Sequence, residues 1–515
     1  MFSSSRSRPP PATRRSPRSG MKFASAVVLS AALCTGGCMS LTPPYVRPAL
    51  PVPDSWDAAS LPASSAAESS RDAPANATSA PIQLDWHSYF PDAQLQALIE
   101  QALGGNRDLR IAVQRVEQAR ATYGVRRADT LPTIAASAAY VRLHTPGVLA
   151  PGGSLDAAAY QVGLSESNWE LDFWGRIRNL KDAALEQYLA SDAARRAATL
   201  GVIANVADNY LLLRELDERI SVARETIASR SDSLRIFRRR FEVGAISKLD
   251  LRQSEILLQQ AQVLVAQLEQ QRATQAHALA VLVGAPARLQ PAPLADTSVY
   301  ANLQPGLPSS LLERRPDIVA AEHQLRAANA NIGAARAAFF PRVTLTSAVG
   351  STSTELHNLF ASGSGAWIFM PNLSLPIFDA NRNRSNLELA KAREGEAVAQ
   401  YEKTIQEAFR DVANALSARE WLAAQVQTET DTLAAQTERA RLARLRYDNG
   451  ATPFLEVLDA QRDLLNARQQ LIQTRRALLS SRVALYAALG GDVQDREQTG
   501  APPVPDIAHE QGPLP

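Results

Sequence analysis

Phe241-Glu242-Val243-Gly244-Ala245 and Tyr447-Asp448-Asn449-Gly450-Ala451 are two versions of one stretch, 206 residues apart in the chain. The match around them has no gap and ends at Gly284 in one copy and Gly490 in the other. Each version places a glycine between two long segments of helical periodicity, which is typical of the turn in a helical hairpin.

A second gapless match pairs residues 108–134 with residues 317–343, at a shift of 209. Gly124 aligns with Gly333, and Pro132 aligns with Pro341. Two long registers with nearly equal shifts indicate that the protein is duplicated.

Each copy has the same order of predicted elements. A helical pattern ends before a proline, and two strand-like segments follow, at 133–144 and 159–172 in the first copy and at 342–351 and 366–377 in the second. The segment from Asn381 to Arg446 has no proline, and as a helix it would extend roughly 100 Å. The unit is therefore helix, strand, strand, helix.

The last segment of the second copy has a sustained heptad pattern. One apolar column is Val457, Leu464, Leu471, Leu478 and Leu485, and an adjacent column runs from Leu458 to Tyr486. Because Gly450 and Pro453 mark a turn just before it, the pattern predicts an antiparallel coiled-coil hairpin.

Composition excludes several function classes. The six histidines are scattered, both cysteines lie in the first 38 residues, and the chain has no phosphate-binding glycine loop, nucleophile elbow or zinc motif. We therefore expect no enzyme activity, no cofactor and no metal. Beyond residue 37 the net charge is −4, which does not favour nucleic acid as a partner.

The N-terminus resembles an export signal. Met21-Lys22 precedes the apolar run Phe23 to Leu33, which is too short to span a bilayer. Small residues then lead to Cys38, as in a bacterial lipobox, with Thr35 where leucine is more usual. The resemblance implies cleavage before Cys38 and acylation of that residue; the alternative is an ordinary signal followed by an incidental cysteine.

These patterns divide the chain into five parts. Residues 1–37 are the predicted signal peptide, with 1–20 upstream of a start at Met21, and residues 38–82 are a lipid-anchored tether rich in Pro, Ala and Ser. Repeat 1 covers 83–290, repeat 2 covers 291–491, and 492–515 form a predicted disordered tail.

Four predicted strands cannot close a barrel by themselves, since single-chain outer-membrane barrels begin at about eight strands. Open strand edges are excluded from lipid because unpaired backbone groups are costly there. If the strands enter a membrane, several chains must therefore share one barrel. Two chains would give eight strands with a filled interior and three would give twelve with a lumen; the strand count alone leaves both open.

Several motifs, in one order along residues 86–490, resemble the TolC/OprM type of outer-membrane efflux channel, and within it the NodT-like lipoproteins. They are Trp86 with Phe90-Pro91-Asp92, Asn106 to Arg110, Trp169 to Arg176, Glu313 to Ile318, Leu375 to Asp379, and Tyr447 to Gln461. The resemblance implies a mainly α chain with a small membrane β-barrel, trimeric and twelve-stranded, and a long periplasmic α-barrel. It also implies a passive exit duct in the outer membrane, joined by a periplasmic adaptor to a proton-driven inner-membrane pump.

The same resemblance assigns roles at the hairpin turns. It places Tyr447, Glu456, Asp459 and Arg462 at a periplasmic gate, where Arg–Asp contacts would latch neighbouring hairpins. Glu456, Asp459 and Arg462 share one helical face, so an ordinary ion pair between residues three apart is the alternative. Six residues could contact the adaptor or simply turn the chain: Gly244, Ala245, Leu249, Gly450, Ala451 and Leu455.

Two other protein classes fit part of the pattern. A lipid-anchored periplasmic coiled-coil scaffold would explain the heptads but not the paired strands. A periplasmic adaptor would have one hairpin per chain, whereas this sequence has two.

Overall fold

The computed structural model describes residues 40–52, 85–146, 155–286, 289–300 and 315–491. The predicted signal peptide, Cys38, most of the predicted tether and the predicted C-terminal tail lie outside these ranges.

The elements follow the duplicated order that the sequence predicts. Short helix α1 (Trp86–Tyr89) precedes α2 (Ala93–Gly105), α3 (Arg107–Ala128), β1 (Ile134–Thr145), β2 (Leu155–Leu171), α4 (Arg176–Glu242) and α5 (Lys248–Val283). The second copy contains α6 (Pro316–Ala337), β3 (Arg342–Ser353), β4 (Gly365–Ser374), α7 (Arg382–Asp448) and α8 (Phe454–Ala488). Single 3₁₀ turns lie at Leu294–Asp296 and Leu356–Asn358. Among the described residues, none of the helices combines the length and apolar character needed to cross a lipid bilayer.

The element ends have local causes. Helices α3 and α6 stop four residues before Pro132 and Pro341, whose rings cannot continue a helix. Strand β4 ends at Ser374, three residues short of the predicted end. Asn106 separates α2 from α3, and its side-chain oxygen accepts a 2.9 Å hydrogen bond from the backbone N–H of Leu109.

The chain divides into two compact units. One contains residues 40–44, 125–182 and 329–391, and in it β1, β2, β3 and β4 form an antiparallel sheet in that order. Strands β2 and β3 pair with each other, which joins the two copies in one sheet. Within the described residues, β1 and β4 are the sheet edges and pair on one side only.

The second unit contains the described residues of 45–124, 183–328 and 392–491. Its largest apolar cluster joins both copies, with Tyr89, Tyr210, Tyr401 and Tyr486 almost fully buried. The heptad prediction for α8 is confirmed, since Val457, Leu471 and Leu485 are buried.

The described part of the tether forms neither helix nor strand, and it is packed against the rest of the chain. In the first unit, the Thr42 hydroxyl donates a 2.8 Å hydrogen bond to Asn179. In the second, Arg47 donates to Glu322, and Leu50 and Val52 pack against the large apolar cluster. Residues 40–52 are therefore held against the helices, whereas composition alone predicts only an extended chain.

Candidate functional site: the tips of the helical hairpins

Both hairpins turn through the same backbone geometry. In the first tip, between α4 and α5, Gly244 has φ +74°, and the N–H of Ala245 donates to the carbonyl of Arg240. In the second tip, between α7 and α8, Gly450 has φ +71°, and Ala451 donates to Arg446. Both N–H···O distances are 2.8–2.9 Å. This left-handed helix end favours glycine because it has no Cβ.

The returning helices begin differently. Ser247 caps α5 through a reciprocal pair of hydrogen bonds with Asp250, which satisfies two free N–H groups of the first turn. The equivalent position before α8 is Pro453, which makes no side-chain cap. The start of α8 is held instead by aromatic contacts of Phe454.

An aromatic cluster joins the two tips. Phe454, the first residue of α8, is buried with its ring centroid 4.2 Å from that of Phe237 and 5.1 Å from that of Tyr447. Phe237 belongs to α4, so the contact crosses from one copy to the other. Aromatic pairs at these distances contribute about 0.5–1.5 kcal/mol beyond their buried area.

The charged residues predicted for the gate form three ion pairs, one of which is a 3.6 Å contact between Arg462 and its neighbour Asp463. Asp459 and Arg462 are 3.1 Å apart in one helix, as their spacing predicts. Glu456 instead pairs across the turn with Arg446, at 3.1 Å, and also accepts a hydrogen bond from Thr452. Within one chain, therefore, Arg462 makes the ordinary pair between residues three apart that the sequence left open as an alternative, and a latch between chains stays a prediction.

Tyr447 lies apart from these ion pairs, in the aromatic cluster. It is half-buried, so part of its ring remains accessible. The structure thus brings Asp459 together with Arg462 but places Tyr447 against Phe237 and Phe454.

All six predicted adaptor-contact residues are exposed. Leu249 is 66% exposed and Leu455 is 55% exposed, although both are apolar and occupy equivalent positions. Val243 is 78% exposed on the first tip, and sequence reasoning missed it. Exposed apolar side chains on both tips are a suitable surface for another protein.

Sequence reasoning also missed Phe237, Phe454 and Arg446. A signal for the two phenylalanines exists, because the aligned positions in the other copy are Ala443 and Lys248. Such departures from an internal repeat indicate positions where the side chains of the two copies make different contacts. Arg446 has no such signal, since its counterpart is Arg240.

Within the described ranges, no group of three or more His, Cys, Asp or Glu side chains is arranged to hold a metal ion. The tips present exposed apolar side chains and ion pairs.

Comparison with known proteins agrees with the duplicated architecture. The model of the outer membrane efflux protein family matches residues 98–285 and again residues 307–491. The chain is 41% identical over 464 residues to the outer membrane protein OprJ of Pseudomonas aeruginosa, covering 89% of this chain and 94% of OprJ.

Two further known proteins are similar to most of this chain. The toluene efflux pump outer membrane protein TtgI of Pseudomonas putida is 42% identical over 475 residues, covering 92% of this chain and 98% of TtgI. The open-state structure of the MtrE outer membrane channel of Neisseria gonorrhoeae superposes with a TM-score of 0.78 at 37% identity, covering 90% of this chain and all of MtrE.

The expectation of a mainly α chain with a small membrane sheet of four strands is confirmed. The expected location in the outer membrane and the expected role as an efflux channel are also confirmed. The chain belongs to the outer membrane efflux protein family and is an outer-membrane channel subunit of an efflux system.

Proposed function

We propose that three copies of this chain close a twelve-stranded pore that serves as the passive exit duct of a tripartite, proton-driven efflux system. The observation that carries the proposal is the single four-stranded sheet, whose edges β1 and β4 pair on one side only within the described residues. In hydrocarbon such edges need partners, because unpaired backbone groups cost several kcal/mol each.

Three copies are favoured over two on the size of the pore. Two sheets of four strands give eight strands, and side chains fill a barrel of that size. Three sheets give twelve strands and leave a lumen through which a small molecule can pass. Because one relative is named as a toluene efflux protein, we include small apolar organic compounds among the proposed cargo.

The central experiment is reconstitution of the purified protein in planar bilayers, with the oligomer mass measured on the same sample. We expect a trimer that conducts ions. A protein that remains monomeric in lipid and passes no current would contradict the proposed function as an exit duct. A periplasmic scaffold or adaptor would then describe the protein better.

The proposed partners are a periplasmic adaptor, which docks at the tips, and an inner-membrane pump, which supplies the energy. Support for docking comes from the exposed apolar residues Val243, Leu249 and Leu455. In this proposal the duct itself catalyses no reaction.

The proposed gate is formed by Tyr447, Glu456, Asp459 and Arg462 of each copy. The pairs Glu456–Arg446 and Asp459–Arg462 are both at least partly exposed, so they can exchange partners at low cost. Around a threefold axis, Arg462 of one copy would then bind Asp459 of the next when the gate is closed.

The proposed lipid anchor is Cys38, which lies outside the described residues. Ser40, two positions later, is described and contacts Asn179. Loss of acyl labelling in a Cys38→Ser variant is the expected result, and unchanged labelling would contradict the anchor.

A further inference from the structure

A β-bulge in β2 brings an acid and a tryptophan side by side. Glu166 pairs with Ser347, and the next paired position is Trp169 with Leu345. Three steps along β2 therefore match two steps along β3, so one residue of β2 is extra. Glu166 and Trp169 would face opposite sides of a regular strand, and the bulge turns both toward the same side.

This side of the sheet is the apolar one. The row beside Glu166 consists of Leu164, Val349 and Trp367, which pair across β2, β3 and β4. Their side chains are exposed by 51%, 62% and 79%. An exposed apolar face on the sheet of an outer-membrane protein is a surface for lipid.

The bulge lies near one end of this face. Strand β2 ends at Leu171, two residues after Trp169, and α4 begins at Arg176. Strands β1 and β3 begin at the same end, with Ile134 and Leu345 beside the bulge. The ends of membrane strands lie at the depth of the lipid headgroups, where tryptophan is enriched.

A cavity of about 340 Å³ opens at this point, lined by Glu166, Trp169, Ile134, Leu164 and Leu345 among others. Its volume is within the range of small-molecule sites. Glu166 is only 6% exposed. One of its carboxylate oxygens, Oε1, accepts a 2.7 Å hydrogen bond from the backbone N–H of Trp169.

Two buried polar atoms of the cavity lack partners among the described residues: Oε2 of Glu166 and the indole Nε1 of Trp169. One is a negatively charged acceptor and the other is a neutral donor. Buried groups of this kind are costly when they remain unpaired. A ligand that presents a cationic N–H donor and, close to it, an acceptor oxygen fits both atoms.

We propose that this cavity binds the headgroup of a phospholipid with a primary ammonium group. The ammonium donates to Oε2 of Glu166, and Nε1 of Trp169 donates to the phosphate or to an ester oxygen. The apolar lining contacts the start of the acyl chains. Because the cavity is on the face of β2 and β3, edge pairing between copies would leave it open to lipid.

The donor and acceptor atoms of the cavity predict an order of binding affinity among three phospholipids. Phosphatidylethanolamine supplies N–H donors to the carboxylate, and a charge-assisted bond of this kind is about twice as strong as a neutral one. Phosphatidylcholine has the same charge but no N–H group, so Oε2 would remain unpaired. Phosphatidylglycerol has a net negative charge, which Glu166 repels.

The test is native mass spectrometry of the intact protein with each of the three lipids. We expect phosphatidylethanolamine to bind about tenfold more tightly than phosphatidylcholine, which corresponds to one charge-assisted hydrogen bond. Glu166→Gln keeps an acceptor for the backbone N–H of Trp169 but removes the charge, and it should abolish the preference. Trp169→Phe should weaken binding of all three lipids.

The control is Asp156→Asn, which removes an exposed carboxylate from the same strand and should leave the preference unchanged. Soluble phosphoethanolamine should not displace the lipid; displacement at equal concentration would mean a site for free amines and would overturn the proposal. A preference that survives Glu166→Gln, or that favours phosphatidylcholine, would also overturn it. Bilayer conductance of the same variants is expected to match the unsubstituted protein, so this test and that of the duct can fail independently.

Discussion

At the scale of single residues, aligned positions in the two copies differ in how much space they leave for a side chain. Gly124 and Gly333 align in the repeat, and each lies inside a helix. A Cβ on Gly124 would meet nothing within 4 Å, whereas one on Gly333 would overlap Thr42 and Asn179. The contact with Thr42 and Asn179 therefore favours a glycine in the second copy only.

We predict that Gly333→Ala destabilises the protein by about 1–3 kcal/mol, because the added methyl group overpacks the contact with Thr42 and Asn179. Gly124→Ala should stabilise α3 by about 0.5–1 kcal/mol, because alanine is the better helix former. Thermal unfolding measures both, and limited proteolysis reports release of residues 40–52. Equal effects of the two substitutions would contradict the prediction.

A second prediction concerns Glu322, which holds the same segment through Arg47 and also pairs with Arg326. Burial raises the pKa of Glu322, but the hydrogen bond from Arg47 and the positive charges of Arg326 and Arg47 outweigh this and lower the pKa below its usual value of 4.5. A lowered folded-state pKa stabilises the fold above the unfolded value, and this contribution is lost as the pH falls through the folded value.

Proteolytic cleavage within residues 40–52 should therefore increase as the pH falls below about 4.5, through the lowered pKa of Glu322. Glu322→Gln should allow cleavage at neutral pH and remove the pH dependence. Glu117→Gln, at an exposed carboxylate of α3, is the control. An acid-induced release that is identical in Glu322→Gln would mean that another group is responsible.

At the scale of elements, the duplication predicts the order of helices and strands, and heptad spacing predicts the buried face of α8. The sequence also places Asp459 and Arg462 on one helical face, because that depends only on residues three apart. The pair Arg446–Glu456 and the Phe237–Phe454 contact depend on how segments meet across a turn or across copies, which periodicity does not encode. The bulge at Glu166 and Trp169 was missed for the same reason, since it is defined by pairing with β3.

The tip of the second hairpin gives the third prediction. Replacing Asp459 and Arg462 by alanine should raise single-channel conductance, because the proposed latch between copies is lost. The thermal stability should change little, by about 0–1 kcal/mol, because the pair is partly exposed.

A matched control comes from the first copy, where Gln253 and Ile256 occupy the aligned positions and carry no charge. Replacing these two residues by alanine should leave conductance unchanged. Unchanged conductance in the Asp459/Arg462 variant would count against the gate.

At the scale of the whole molecule, function depends on contacts that one chain does not make with itself. Composition and motifs predict the class of protein, and the open edges of the sheet argue for assembly with other copies. The number of copies follows from the size of the pore and not from any residue pattern, which is why the strand count alone left two assemblies open.

The fourth prediction separates conduction from docking. Leu249→Asp combined with Leu455→Asp should abolish export of a small apolar compound in cells, because charged tips no longer bind the apolar surface of an adaptor. Conductance of the purified protein in bilayers should be unchanged, since both side chains are exposed and make no core contact.

Lys248→Asp is the control, because it adds the same acid to an exposed polar position of the first tip. Full export by the leucine variant would contradict docking at these residues.

The unlike starts of α5 and α8 have an evolutionary consequence. Hydrogen bonds between Ser247 and Asp250 hold the start of α5 within its own turn, whereas the start of α8 is held by the contact of Phe454 with Phe237 of the first copy. A mutation of an exposed residue in the first tip can therefore change the binding surface of that tip without weakening the contact between Phe237 and Phe454. If the tips dock an adaptor as proposed, we expect natural variation that suits the protein to a new adaptor to accumulate first around Val243 and Leu249.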